Sequence, residues 1–429
     1  GQRRGLTTRM STSDPPEVAP PSPAGEAVYQ ARWLTPDCEQ TYSPGCLHVC
    51  DGRIVRVWEG RDADAIDLGE VVVAPGLVNA HTHLEFSGLA IPLAAGAAFP
   101  DWIRSVIASR QTRSDDVCDA IRNGWHECRH AGTAAIGEIA TDDASYGVLH
   151  AEGAAGVVFR EILGLQESQV AAGLDTARRF VRRAPDGPTH QMRADCPLPV
   201  KTADTPLVRG ISPHAPYSLH PQLFRGLVDL AAETGVPVAM HLAETREELQ
   251  LLADHSGGLV DLLDDLGLWR LELFTEFRRP LDYLRELSRC RRTLVVHGNY
   301  LDREELDFLA TQPQMSVVYC PRTHAAFGHA PHPWRAMQDR GIRVVFGTDS
   351  RASNPDLSLL SELEFLHRMH PEISAKELLR MATLDAAASL GLSDWCGTLT
   401  PGRTAAFTVG AVSGDKASKF WTSVVEADG

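Results

Sequence analysis

This chain has almost no lysine. Of its 41 basic residues only four are lysines: Lys201, Lys376, Lys416 and Lys419. Lys201 falls in an insertion rich in Pro, Asp and Thr, Lys376 in a helical pattern, and the last two in the C-terminal tail. None stands on an apolar run that reads as a strand, so no strand lysine is available to a site. Long apolar runs are missing too. No stretch approaches the roughly 20 residues of a membrane span, and the N-terminus shows no secretory apolar region. Positive charge is in deficit, with a formal net charge of −15 and a pI near 5.6. That balance argues against nucleic acid or an anionic membrane as partner. The nine cysteines include no Cys-x-x-Cys pair. An odd number without that spacing fits a reducing compartment, so a cytoplasmic protein is expected.

What is present begins with length. The 429 residues can hold one large domain or two to three average ones. Residues 1–25, rich in Pro, Ser, Thr and Gly, read as a disordered tail, with Met10 a candidate native start. The sequence leaves open whether the chain is a monomer or a homo-oligomer.

The densest signal is His81-Thr82-His83, which follows the apolar run Val71-Val72-Val73 and the segment Pro75-Gly76-Leu77-Val78-Asn79-Ala80. Alternate residues of a strand share a face, so the two imidazoles project together, as two ligands of one metal must. Imidazole suits zinc or ferrous iron, and three or four such ligands complete a site. Three further runs end in polar groups of the same kind. Val236-Pro237-Val238-Ala239-Met240 leads to His241-Leu242-Ala243-Glu244, Leu294-Val295-Val296 to His297-Gly298-Asn299, and Val344-Val345-Phe346 to Gly347-Thr348-Asp349-Ser350. Any one of these alone reads as an ordinary polar strand end. Their recurrence marks a metal site.

The middle of the chain alternates such runs with helical patterns. Strands are expected to end near His83, Glu138, Glu161, His214, His241, His297, Cys320 and Asp349. Strands alternating with helices pair in parallel through right-handed crossovers. Eight units make an α/β fold, a (β/α)₈ barrel over 76–395, whose site lies at the C-terminal strand ends. Every candidate ligand falls there. Residues 26–75 and 396–429 carry short strand patterns and turns instead, and are expected to pair into a small β-sandwich built from both chain ends. Residues 183–207 read as a surface insertion. Ser374-Ala375-Lys376-Glu377 reads as a capping box opening a helix through Leu384.

These motifs resemble the amidohydrolase superfamily, in its aminohydrolase branch. That branch includes guanine deaminase, the methylthioadenosine and S-adenosylhomocysteine deaminases, aminofutalosine deaminase and the chlorotriazine hydrolases. The resemblance runs over residues 26–410, and His81-Thr82-His83-Leu84-Glu85-Phe86-Ser87 with Cys320-Pro321-Arg322-Thr323-His324 leans toward aminofutalosine deaminase-like proteins. Thr404-Ala405-Ala406-Phe407 departs from the Ala-Asp pair that relatives carry there, which touches the sandwich and not the chemistry.

The resemblance implies a hydrolytic deaminase of an aminated heterocycle, an adenine-type nucleoside such as aminofutalosine, with ammonia released. The alternative on the same fold is a chlorohydrolase or an imidazolonepropionase-like cyclic amide hydrolase. One divalent metal, zinc or iron with zinc favoured, is implied at His81, His83, His241 and Asp349. Binuclear members bridge two ions with a strand lysine that this chain lacks. By resemblance, Asp349 accepts a proton from water, Glu244 shuttles one to a ring nitrogen, and His297 stabilises the added oxygen.

Small-molecule substrate contacts are expected from His214 and from one of Arg160 and Glu161, since neighbours on a strand face opposite ways. Arg322, His324 and His329 belong to a substrate lid or a solvated loop. His126 and His130, at helical i, i+4 spacing, read as a solvated face. Cys46, His48 and Cys50 share a strand face that imitates a metal site, with buried strand cysteines the expected explanation.

Overall fold

The computed structural model describes residues 25–93, 98–113, 116–183, 206–414 and 417–426. The expected N-terminal tail up to residue 24, most of the 183–207 insertion, Lys201 and Lys416 lie outside these residues.

Eight parallel strands form one sheet in chain order. They are β1 (Leu77–Thr82), β2 (Thr133–Ala140), β3 (Ala155–Ile162), β4 (Leu207–Pro213), β5 (Val238–Leu242), β6 (Thr293–His297), β7 (Met315–Tyr319) and β8 (Arg343–Phe346). Each ends within three residues of its expected position. The central strands are buried on both faces, which is why their sequences are continuous apolar runs rather than alternating ones. In β5, Ala239 packs with Leu294, Val296, Val318 and Val345 of the neighbouring strands. Val238, Met240 and Leu242 pack instead with helix residues such as Leu227 and Leu230. The first set is the barrel interior and the second its outer wall.

The barrel closes between β1 and β8. Thr82 and Asp349 form a parallel bridge, and the Asp349 amide donates to the His81 carbonyl at 3.0 Å. Below it, Asn79 Nδ2 donates to Thr348 Oγ1 at 2.8 Å, and the Thr348 amide donates to Asn79 Oδ1 at 3.1 Å. The seam therefore carries two of the expected metal ligands on its own hydrogen bonds.

Both chain ends build the small sheets beside the barrel. A four-stranded sheet holds Arg53–Glu59, Gly45–Cys50, Glu26–Ala31 and Ile66–Asp67. A three-stranded sheet pairs Phe407–Ala411 antiparallel with Val71–Pro75, which also pairs with Trp33–Leu34. Leu34, Leu47, Val49, Ile54, Val73 and Phe407 share their core. The last helix, Lys419–Glu426, departs from the expected all-strand C-terminus. Its Trp421 seats on Gly410, while Phe420 and Val424 are buried in the core of the barrel helices and Ser423 Oγ meets His367 Nε2 at 2.9 Å.

The capping box also differs. Ser374 caps the helix Ala375–Met381 through the Lys376 amide, but Glu377 is drawn away to Arg335 at 2.7 Å. A second helix, Leu384–Leu390, begins where the first was expected to continue.

Gly347 sits in the closing seam. A Cβ there would lie 2.7 Å from His81 Cβ and 3.0 Å from the His81 backbone N and O. Gly347→Ala is expected to cost about 1–3 kcal/mol of stability, measured by urea unfolding of the metal-free protein, with a parallel loss of metal affinity. Unchanged values for both would show that the seam tolerates the methyl group.

Candidate active site

Five side chains converge at the C-terminal mouth of the barrel. His81, on β1, and His83, just past its end, project together with ring centroids 4.8 Å apart. His241 comes from the inner face of β5, and its ring lies 5.0 Å from His81 and 5.4 Å from His83. Asp349 Oδ1 is 3.6 Å from His81 Nε2 and 3.7 Å from His83 Nε2. His83 Nε2 and His241 Nε2 are 3.3 Å apart.

Donor atoms of His81, His83 and Asp349, and likewise of His81, His241 and His297, all lie within 4.8 Å of one another. Both nitrogens of His81 and Nδ1 of His83 are buried with no protein partner. A set of imidazoles and a carboxylate at this spacing is chemistry suited to a tetrahedral or five-coordinate transition-metal ion.

Two residues reach the site only because the backbone breaks strand alternation. In β6, Leu294 and Val296 face inward and Val295 outward. His297 should then face the outer helices. Its φ of +70° turns it into the mouth, where its ring stands 5.5 Å from His241. Glu244 has the outward parity of Val238 and Leu242, and the φ of +53° at Ala243 redirects it likewise. With Asp349 at φ +58°, three non-glycine residues at or beside the site adopt the left-handed conformation. Such conformations cost energy and persist where surrounding structure holds them.

The surroundings do hold them. The buried Glu248 carboxylate accepts from the Ala243 amide at 2.7 Å and the Glu244 amide at 3.2 Å. Asn299 Nδ2 donates to the Glu244 carbonyl at 2.9 Å. These bonds leave the Glu244 side chain facing His297, with Oε1 and Nε2 3.4 Å apart. His241 Nδ1 donates to the His214 carbonyl at 3.0 Å, which leaves Nε2 unprotonated and available to an ion. Ser353 Oγ donates to Asp349 Oδ2 at 3.1 Å. Glu138, buried at the end of β2, accepts from Thr82 Oγ1 at 2.7 Å and from the Leu84 amide at 3.1 Å, the residues on either side of His83.

Burial sets the charge states. It pushes His83 and His297 well below the usual imidazole range, and His241 and His214 down to about 3. Burial also works to raise Asp349, but the closeness of His81, with His297 and His83 nearby, outweighs it and holds the carboxyl below the usual carboxylate range. Glu244 is raised well above the carboxylate range by burial, then by Asp349 and Glu248. The site thus pairs a carboxyl shifted down with one shifted up.

The cavity above is lined by His83, Phe86, His214, Tyr217, Glu161, His241, Glu244, His297 and Asp349, with one helical face over them. That face belongs to Phe99–Thr112 and presents Phe99, Trp102, Ile103, Val106, Ile107 and Arg110. Their i, i+3, i+4 spacing is legible in the sequence, but it reads as a core-facing stripe rather than a cavity wall.

Of the substrate candidates, Glu161 and His214 line the cavity. Glu161 Oε1 is buried without a hydrogen bond, 3.7 Å from His214 Nε2. Arg160 faces the other way, bonded to Asp143 at 3.2 Å and to the Thr141 and Glu161 carbonyls. Arg110, unremarked in the sequence, meets Glu85 at 2.7 Å and lies 4.0 Å from Glu161.

The remaining candidates do other things. Arg322 is bonded to Glu362 and Asp356, a structural ion network rather than a lid. His324 bonds the Ala330 carbonyl and His329 the Tyr300 hydroxyl. His126 pairs with Glu152, and His130 bonds the His126 carbonyl. Cys46 and His48 bond Gly60 and Glu26 respectively, and no metal grouping involves them among the described residues.

Comparison with known proteins agrees with this geometry. The sequence profile of the amidohydrolase family matches residues 72–424. The 5-methylthioadenosine/S-adenosylhomocysteine deaminase of Syntrophobacter fumaroxidans is 27% identical over 395 residues, covering 87% of this chain and 81% of its own. Among solved structures, the aminofutalosine deaminase of Helicobacter pylori superposes with a TM-score of 0.75 at 21% identity, covering 94% of this chain and 95% of that one. The atrazine chlorohydrolase of Arthrobacter aurescens complexed with zinc gives 0.71 at 20% identity, covering 91% and 88%. From the family match over most of its length, this chain belongs to the amidohydrolase family and is a hydrolase acting on carbon–nitrogen bonds.

Proposed function

We propose that the chain is a metal-dependent hydrolytic deaminase of an aminated heterocycle, an adenine-type nucleoside such as aminofutalosine, releasing ammonia. One observation carries this reading. A buried carboxyl, Glu244, stands 3.4 Å from His297 in a cavity that also holds Asp349 and further imidazoles, and burial raises Glu244 above the carboxylate range while Asp349 is held below it. The deaminases among its relatives support the substrate class.

His81, His83, His241 and Asp349 would hold one divalent ion. The orphaned, buried nitrogens of His81 and His83 fit such a ligand, and the zinc in the similar chlorohydrolase supports zinc over iron. A bound ion of this kind supplies Lewis acidity and lowers the pKa of a water to about 7.

The chain's own groups account for the proton movements. Water adds to the ring carbon bearing the amine, and Asp349 takes the proton it gives up. Glu244 delivers its proton to the neighbouring ring nitrogen, neutralising the charge created as conjugation breaks. His297 donates a hydrogen bond to the oxygen that has added. Asp349 then passes its proton to the amine, the C–N bond breaks, and the hydroxyl proton returns to Glu244. Ammonia leaves and the ring is restored as an oxo compound. Phe99, Trp102, Ile103, Val106 and Ile107 shield the reacting centre from water, while Glu161 and His214 would bind polar groups of the substrate.

Metal content should be close to one ion per chain. Among the described residues, the lysines Lys376 and Lys419 lie on outer helices, with Lys376 Nζ on the Glu39 carbonyl. Elemental analysis of metal-loaded protein returning two tightly held ions would contradict the single-ion arrangement.

Glu244→Gln keeps the size of the side chain and removes its transferable proton. Turnover is expected to fall by about 10²–10⁴-fold or more, with metal content at the wild-type level. Near-normal turnover would remove Glu244 from the mechanism.

The reading as a whole is tested by ammonia release from a panel of aminopurines. Adenine nucleosides with modified 5′ groups should react, and adenosine less well. If the metal-replete enzyme ignores the panel but dechlorinates a triazine or opens an imidazolone, the rival hydrolase activity replaces the deaminase.

A further inference from the structure

The segment between helix Pro321–Ala326 and helix Trp334–Gln338 carries two histidines, and His324 stands at its entrance. His324 and His329 are bonded to the Ala330 carbonyl and the Tyr300 hydroxyl, away from the reacting groups. His332 is different. Its Nε2 lies 2.8 Å from the backbone carbonyl of His297. A carbonyl only accepts, so Nε2 must carry the proton and donate. The other nitrogen, Nδ1, is buried with no partner. The ring stacks on Tyr319, with centroids 4.0 Å apart and planes at 22°, and meets His324 edge-on at 5.7 Å. Packing and one hydrogen bond therefore fix both its orientation and its tautomer.

The carbonyl it serves is one that the sheet cannot serve. Pairing of β6 with β7 ends at Val296, opposite Val318. His297 then takes a φ of +70° and Gly298 a φ of +62°. Two consecutive left-handed residues turn the chain out of the ladder and swing the His297 side chain from its outward parity into the mouth. The same turn leaves the His297 carbonyl in a buried place, where an unpaired acceptor is costly. A donor at that point stabilises the turn relative to an extended strand end, in which His297 would face the outer helices. An apolar ring of the same shape would fill the space and stack on Tyr319 equally well, but it would not favour the turn.

We propose that His332 is a positioning residue, whose Nε2–H bond to the His297 carbonyl holds the left-handed turn that aims the His297 ring at Glu244. This rests on the reading of His297 as the group that stabilises the added oxygen. Removal of the donor should slow the chemical step while leaving ion and substrate binding in place, because His332 touches neither the ion's proposed ligands nor the cavity.

Three proteins test it: wild type, His332→Phe and His332→Gln. The phenylalanine keeps the stack and loses the donor. The glutamine places an amide N–H near the former Nε2. With the best substrate of the aminopurine panel, His332→Phe should lower kcat about tenfold, with KM within about twofold of wild type and metal content unchanged. His332→Gln should recover most of the loss. Equal impairment of the two variants, or wild-type kcat in His332→Phe, overturns the proposal.

A second readout needs no substrate and no variant that folds poorly. In ¹⁵N-histidine-labelled wild-type protein at neutral pH, the His332 resonance should report a neutral ring protonated at Nε2 and bare at Nδ1. A ring protonated at Nδ1, or a cationic ring, overturns the proposal. If the spectrum is as expected but the aminopurine panel is inert, the deaminase reading fails and the His332–His297 link survives.

Discussion

The structure is organised around a crowd of ligating groups in a place with little water. The four imidazoles and one carboxylate at the barrel mouth are buried, their donor atoms a few ångströms apart. Burial pushes His83, His241 and His297 below the usual imidazole range, while the histidines around Asp349 hold its carboxyl below the usual carboxylate range. An arrangement of bare lone pairs around an ionised carboxylate is costly on its own and complementary to a small dication. The proposed ion would be the component that makes the mouth of the barrel a favourable place for these side chains. The barrel seam, two further strand ends and several buried carboxylates all serve this one small region.

The supporting carboxylates do not point at the cavity. Glu138 and Glu248 are buried, each raised to about 8 by desolvation, and each accepts from backbone amides beside a proposed functional residue. Glu138 brackets His83, and Glu248 clamps the turn that carries Glu244. They fix main-chain positions where the strands have ended and ladder bonding no longer applies. Asn299 and His332 do the same for the carbonyls of Glu244 and His297. Side chains thus take over the work of the sheet in the last residues before the site, which is where geometry matters most for proton transfer.

Legibility in the sequence follows the range of the interactions involved. The central strands β5–β7 are readable because a strand buried on both faces needs a largely apolar run, and each run is bounded by polar residues. His81 and His83 were readable as a pair because alternation is a local property of the backbone. The choice between Arg160 and Glu161 was not. Alternation says only that one of them faces the cavity, and the answer depends on which face of β3 the barrel turns inward: Ala155, Val157 and Phe159 pack inside, so Glu161 follows them and Arg160 faces out to Asp143 and the Thr141 carbonyl. The helix Phe99–Thr112 shows its apolar stripe plainly, but periodicity cannot say whether a stripe covers a core or a cavity. Glu138 stood only as a strand end and Glu248 as an unremarked helix carboxylate, since the amides they hold are recognisable as needing partners only once the turns exist.

The sequence by itself determined the alternation of strands and helices, the donor types at the strand ends and the scarcity of lysine. These are set by local periodicity and by composition, which no tertiary contact alters. Tertiary structure alone decided that Glu244 and His297 face the site. Strand parity would turn both toward the outer helices, and left-handed residues at Ala243 and His297 reverse it. Isolated non-glycine residues avoid that conformation. Here it is held by the nearby Glu248 carboxylate, which accepts from the Ala243 and Glu244 amides, and by Asn299 and His332, partners that only the folded barrel brings within reach.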